Sequence, residues 1–259
     1  MSAAQAPVRT ERAGRVLRVT MSRAPVNALD GALLEALNAA LDAASSDDDV
    51  SVLHLRSALR VFSAGADLAL MHQTIATAAG REQMLGVVAR MQQLNARLEA
   101  APVLTLAEIG GAALGGGFEL ALACDLRIAA HEARIGLPEA GLGLLAAAGG
   151  TQRLTRLVGP GLARRLILGA ETLDGASAER LGLVQWALPR AELEDGARAL
   201  ADRLAATPRH ALAAAKRCIG AALDGTRDGY AEELEHTRAL YADPRTQALV
   251  AAFAARSAR

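Results

Sequence analysis

Ala113-Leu-Gly-Gly-Gly-Phe-Glu-Leu-Ala121 is the stretch on which the fold of this chain turns. Its triglycine stands directly before an apolar segment, Phe118 to Cys124, that reads as a helix. Bare glycines let another group approach the backbone closely, and the first N–H groups of a helix find no partner within it. The turn is therefore suited to receive an oxyanion or another anion, with Glu119 close by. No Lys-Ser/Thr pair follows, which excludes a phosphate-binding P-loop. Taken alone, the stretch is equally a tight strand-to-helix turn in which Glu119 is an ordinary first-turn acid.

Outward from the triglycine, Leu126 to Ala130 reads as a strand, and Pro102 opens another, buried one at Val103 to Ala107. Further upstream, residues 15–21 form a strand ended by Ser22-Arg-Ala-Pro25. A helix follows with Asp30 as its N-cap and Leu33, Leu34, Leu37 and Leu41 as its apolar stripe. Asp47-Asp-Asp49 is a solvated turn before the strand Val50 to Arg56. Residues 67–100 read as helix broken near Gly80. Beyond Gly150 the chain is mostly helical, with stops at Gly159-Pro160, Gly182, Pro208 and Pro244. Strand-strand-helix units thus give way to an appended helical layer, and the fold class is α/β.

With 28 basic and 28 acidic residues among 259, the chain has no net charge with which to attract nucleic acid or an anionic membrane. Its 2% aromatic content offers few platforms for stacking bases. Cys124 and Cys218 lie in no metal-ligand spacing and are expected to be buried thiols of a reducing, cytoplasmic compartment. Met1 to Arg18 has no apolar leader core, and no run is apolar for long enough to span a bilayer.

A second small-residue loop, Phe62-Ser-Ala-Gly-Ala-Asp-Leu68, leads into a helix, and its Ala64 N–H is the candidate partner of a triglycine amide, since oxyanion holes commonly take one donor from each of two loops. Ser63 lacks a recognisable base among the histidines and is read as structural. A second acid, Glu139, stands in Gly136-Leu-Pro-Glu-Ala-Gly141. Gly141-Leu-Gly-Leu-Leu-Ala146 fits the dinucleotide-binding pattern formally, but no clean strand precedes it and no ribose-binding acid follows at the required distance.

Together, Phe62-Ser-Ala-Gly-Ala-Asp67, Ala113 to Ala121, Gly136-Leu-Pro-Glu139 and Gly149-Gly-Thr-Gln-Arg-Leu154 resemble the enoyl-CoA hydratase/isomerase (crotonase) superfamily, with Pro25-Val-Asn-Ala-Leu29 and Gly182-Leu-Val184 extending the likeness. The resemblance implies a crotonase-type spiral of strand-strand-helix units over residues 1–190 and a C-terminal helical trimerisation layer over residues 191–259. It implies a homo-oligomer, either a trimer or a dimer of trimers, acting on an acyl-CoA thioester. Coenzyme A is then part of the substrate, and no separate cofactor or metal is expected. By motif position the thioester oxygen would lie between the N–H groups of Ala64 and Gly116. Ala28, Gly65, Ala66, Asp67, Leu68 and Gly115 would join these two in binding substrate, and Arg23 is a further candidate.

In the hydratase branch Glu119 would activate a water and Glu139 would protonate C2. Two neighbouring carboxyls do not both ionise easily, so one base and one acid can coexist near neutrality. The resemblance also leaves open a double-bond isomerase, another crotonase-type acyl-CoA reaction or a non-catalytic acyl-CoA-binding subunit. Three places depart from the family pattern: Gly110-Gly111 replaces Asn-Gly, Glu108 replaces a small apolar residue, and Ala146-Ala147 replaces Pro-Gly in the loop facing the catalytic water. Glu108 is expected either at the surface or lining the acyl pocket. Ala147 retains its N–H but cannot adopt positive φ as easily as glycine.

Overall fold

The structure, a computed structural model, describes residues 6–257. The first residues of the Met1–Arg18 stretch and the last two of the segment 191–259 lie outside the described residues. The chain is mixed α/β. Its main sheet runs β1 (Val8–Ala13), β2 (Val16–Met21), β3 (Val52–Ser57), β4 (Leu104–Ile109), β6 (Leu126–Ala130) and β9 (Trp186–Leu188) in spatial order. β1 pairs antiparallel with β2, and every other neighbouring pair in this sheet is parallel. A smaller sheet orders β5 (Ala113–Leu114), β7 (Arg134–Gly136) and β8 (Thr172–Asp174).

Parallel strands need covered faces, and the sequence supplies the helices between them. α1 (Gly31–Ser46) begins where Asp30 accepts from the Leu33 N–H at 2.9 Å, and Leu33, Leu34, Leu37 and Leu41 are all buried. Burying such a side chain is worth about 1.5–3 kcal/mol. α2 (Leu68–Thr74) and α3 (Ala78–Ala100) divide the expected long helix at residues 75–77 rather than at Gly80. The Thr77 side chain caps α3 by accepting from the Gly80 N–H, and a Cβ on Gly80 would stand 1.7 Å from the Thr74 carbonyl oxygen. Close approach of the two helices therefore sets that glycine, not chain breaking.

α4 (Gly116–Leu122) is buried along its whole length, and a 3₁₀ turn (Pro138–Leu142) precedes α5 (Gly150–Leu168). Gly159-Pro160 interrupts α5 as expected: Gly159, at φ 75° and ψ 164°, leaves the helical backbone and divides the span into two helical pieces. α6 (Gly175–Arg180) precedes Gly182, which has positive φ. α7 (Arg190–Ala205) adds Leu193, Ala197, Leu200, Ala201 and Ala205 to the same core as the main sheet. α8 (Arg209–Ala221) follows Pro208, α9 (Gly229–Ala242) comes next, and α10 (Pro244–Ser257) has Pro244 as its first residue. α9 and α10 bury none of their residues.

Glu108 is neither at the surface nor against the residues of the candidate site. It is buried on β4, with one carboxylate oxygen 2.9 Å from His54 Nε2 and the other 3.4 Å from Arg56 Nε. Arg56 also reaches Glu194 of α7 at 2.9 Å, so the cluster lies on the face that α7 covers. Cys124 is buried as expected, and burial pushes its thiol up to about 12. Cys218 is only half-buried. No helix among the described residues is long and apolar enough to cross a membrane.

Candidate active site

Backbone hydrogen bonds sew the two small-residue loops together. The Phe62 and Ser63 N–H groups both donate to the Ala112 carbonyl, and the Leu114 N–H donates to the Ser63 carbonyl at 3.1 Å. This brings Gly65 onto Gly116: a Cβ on Gly65 would stand 2.8 Å from the Gly116 nitrogen. Gly65, at φ 87°, thus leaves open the space in front of that amide. Among the described residues the Gly116 N–H has no protein acceptor. The Ala64 N–H, the other expected donor, gives its hydrogen bond to the Val26 carbonyl at 3.0 Å.

Ser63 is fully buried. Its hydroxyl donates to the Asn27 carbonyl at 2.8 Å and accepts from the Gly65 N–H at 3.1 Å, which commits it to loop structure. Asn27 is a residue that sequence reasoning passed over. It is buried at φ 49°, accepts from the Arg23 N–H, and donates to the Ser57 hydroxyl and the Phe62 carbonyl. Its place in Pro25-Val-Asn-Ala-Leu29 was the available signal, because Asn tolerates the left-handed region better than most residues.

Ala28 is buried beside this network, where the Leu29 N–H donates to the Gly65 carbonyl at 2.8 Å. Asp67 caps α2, while Ala66 is half-buried and Leu68 exposed at the same loop. Arg23 meets Asp30 at 2.7 Å and Asp67 at 3.5 Å, so its charge is already matched within the chain.

Glu119, on α4, is 2% exposed, and its Oε1 accepts from the Gly150 N–H at 2.7 Å. Burial pushes its carboxyl up to about 7, and the Glu139 charge adds to that rise. The N–H groups of Gly150 and Ala148 and the charge of Arg153 oppose it. Glu139 comes from the 3₁₀ turn and is also raised by burial, against the pull of its own backbone N–H. Its Oε2 is buried without a hydrogen-bond partner among the described residues. Gly115, at φ 53°, makes room for this side chain: a Cβ there would stand 2.9 Å from Glu139 Oε1.

The strap from Ala146 to Gly150 closes the site beside Glu119. Ala146 is buried, Ala147 half-buried, and neither needs positive φ, since Gly149 takes the left-handed turn at φ 104°. The substitution of Ala for Gly at 147 therefore carries no backbone strain. Gln92 donates to the Ala147 carbonyl at 2.6 Å, while Asn95 and Arg153 donate to the Ala148 carbonyl at 3.0 and 3.1 Å. Gln92 and Asn95 carry no signal in the sequence beyond lying in a helical stretch, while Arg153 stands in the Gly149–Leu154 motif without a role that the sequence defines.

The geometry holds the buried Glu119 carboxyl, the half-buried Glu139, one open amide and a glycine-lined approach. The family model for enoyl-CoA hydratase/isomerase matches residues 11–250. The chain belongs to the enoyl-CoA hydratase/isomerase family. Within this crotonase superfamily it falls in the enoyl-CoA hydratase branch. It is 42% identical over 72% of its length to a probable enoyl-CoA hydratase of Bacillus subtilis, covering 71% of that protein. It is 40% identical over 80% of its length to the 2,3-dehydroadipyl-CoA hydratase of Escherichia coli, covering 79% of that protein. The crystal structure of an enoyl-CoA hydratase from Bacillus anthracis superimposes with a TM-score of 0.89 at 31% identity, covering 96% of each chain. For this crotonase-superfamily chain, the collinear glycine and glutamate motifs thus coincide with the places where the fold converges.

Proposed function

We propose that the chain catalyses reversible hydration of a 2-trans-enoyl-CoA to the 3-hydroxyacyl-CoA, with Glu119 as base toward water and Glu139 as proton donor to C2. The observation that carries this reading is the pair of raised carboxyls, Glu119 buried and Glu139 half-buried, beside the open Gly116 amide. In the addition, water loses a proton to the ionised carboxylate as its oxygen bonds to C3. The electron pair of the double bond moves toward the thioester, and C2 takes a proton from the second carboxyl. The charge that develops on the thioester oxygen falls to backbone N–H donors, whose aim costs no reorganisation during reaction. Of the two expected donors Gly116 offers its N–H freely, while the Ala64 N–H is held by the Val26 carbonyl, so Gly116 carries this role in the proposal.

Ala28, Gly65, Ala66, Asp67, Leu68 and Gly115 line the approach of the thioester in this proposal, and Ala147 faces the reacting water. Coenzyme A enters as part of the substrate, and the steps draw on no separate cofactor or metal. The relatives include a hydratase named for a dicarboxylic thioester, so the test begins with a panel of straight, branched and dicarboxylic enoyl-CoA substrates. Loss of the conjugated enone absorbance reports turnover. Glu119→Gln and Glu139→Gln are each expected to slow it by about 10²–10⁴-fold. A near-normal rate in either variant would defeat the assignment, and faster conversion of a 3-enoyl-CoA would make the protein an isomerase. We further propose a cytoplasmic homo-oligomer, a trimer or a dimer of trimers, joined through the helices that follow residue 190.

A further inference from the structure

Glu119 lies against a strap whose last two residues are both glycine, Gly149 and Gly150. Such a backbone has the greatest freedom to lose, and its amides keep their aim only if something outside fixes it. Two helices do so. Asn95, buried on α3, donates Nδ2 to the Ala148 carbonyl at 3.0 Å. Arg153 of α5 donates Nη1 to the same oxygen at 3.1 Å, while its Nη2 reaches Glu99 of α3 at 2.6 Å. A Cβ on Gly149 would stand 2.0 Å from Arg153 Nη1, so the guanidinium occupies the space that this glycine leaves empty. Gln92, three residues before Asn95, adds a hydrogen bond to the Ala147 carbonyl at 2.6 Å. Residues 92, 95 and 99 share one face of α3, which presents a polar row to the strap.

We propose that Asn95 and Arg153 are positioning residues for Glu119: by gripping the Ala148 carbonyl from α3 and α5, they orient the strap so that its amides hold the Glu119 carboxylate. The proposal rests on Glu119 acting as the base. Holding the Ala148 carbonyl fixes the peptide plane that leads into Gly149, and through it the direction of the Gly150 N–H. The charged groups facing Glu119 are Glu139 from the 3₁₀ turn and Arg153 from α5, with Glu99 of α3 behind Arg153. Slackening the strap or removing the Arg153 charge takes away what opposes the rise of Glu119, so its titration must move further up.

The experiment titrates Glu119 in protein labelled with ¹³C at glutamate side-chain carboxyls, its resonance assigned by absence in Glu119→Gln. The variants are Arg153→Met, Arg153→Lys, Asn95→Leu and Gln92→Ala, the last at an exposed position compatible with folding. Arg153→Met and Asn95→Leu are expected to shift the titration upward, with Arg153→Lys returning toward the parent. For crotonyl-CoA, kcat at pH 7 is expected to fall by about 10–100-fold with KM within about threefold. Gln92→Ala should shift the titration in the same direction by less. A titration that stays in place in the variants that fold overturns the proposal, whatever happens to their stability. The titration needs no turnover, so failure of the parent to hydrate any thioester would count against the function while leaving this test intact.

Discussion

A carboxyl pushed from 4.5 up to about 7 by burial couples activity to stability at Glu119. In the unfolded chain the group loses its proton near its ordinary value, whereas in the folded chain it holds it until about pH 7. Between these limits the native state binds more protons, so stability falls as pH rises from about 4.5 to 7 and stays level above. The difference corresponds to about 3 kcal/mol at pH 8. Glu119→Gln, which cannot ionise, is therefore expected to raise unfolding free energy at pH 8 relative to pH 5 by up to about 3 kcal/mol over the parent. Urea unfolding at the two pH values measures this, and an unchanged pH dependence would rule out the raised carboxyl. The glutamates were legible in the sequence because each stands beside glycines, and bare backbone at a turn signals that another group comes close to it. Asn95 was not, since a polar residue on a long helix acquires its meaning only from the strap folded against it, and Arg153, although inside the Gly149–Leu154 motif, shows its grip on the strap only in the fold.

Legibility among the elements followed burial and length. α1 was visible through Asp30 and a periodic leucine stripe, and β6 has the expected bounds, because both bury a regular face. β1 stayed hidden since its sequence is polar and its residues largely exposed, while β5, β7, β8 and β9 span only two or three residues each. The sequence shows α8 only as a helix after Pro208, yet two of its cations fasten it to the core. Arg209 donates to the carbonyls of Asp47, Ser45 and Val50, which close the turn after α1. Lys216 donates to Leu98 and Val103 at 3.0 and 3.3 Å and meets Asp125 at 2.8 Å. Asp125 in turn accepts from the Thr105 N–H at 2.7 Å, so one ammonium ties α3, β4 and the start of β6 to α8. Lys216→Met would leave two carbonyls and a carboxylate short of a donor in a largely buried place. A loss of about 2–3 kcal/mol is expected in denaturant unfolding at fixed protein concentration. A change below about 0.5 kcal/mol would show that water replaces the ammonium without cost.

At the scale of the molecule, the anchored α8 gives way to two helices none of whose residues is fully buried. Tyr230, Leu234 and Tyr241 on α9 are 84%, 69% and 73% exposed, and Val250 and Phe253 on α10 are 63% and 67% exposed. Beside them, a groove of about 450 Å³ between α8 and α9 is walled by Ala214, Cys218, Ile219, His236 and Leu240 among others. Exposed apolar surface on this scale usually marks an interface. It lies beyond the shared core, so association through it asks no rearrangement of the sheet or of the glutamate pair. In solution the protein is expected to have three or six times the 26.8 kDa mass of one chain, as read by light scattering on a sizing column. The double substitution Leu234→Glu with Phe253→Glu places a charge on each helix and should lower that mass, while the far-ultraviolet circular dichroism keeps its helical signal. An unsubstituted protein that elutes at the mass of one chain would contradict the assembly. A doubly substituted protein that keeps the parent mass would move the contact to another surface, because two carboxylates cannot be buried at an apolar interface without a loss of affinity.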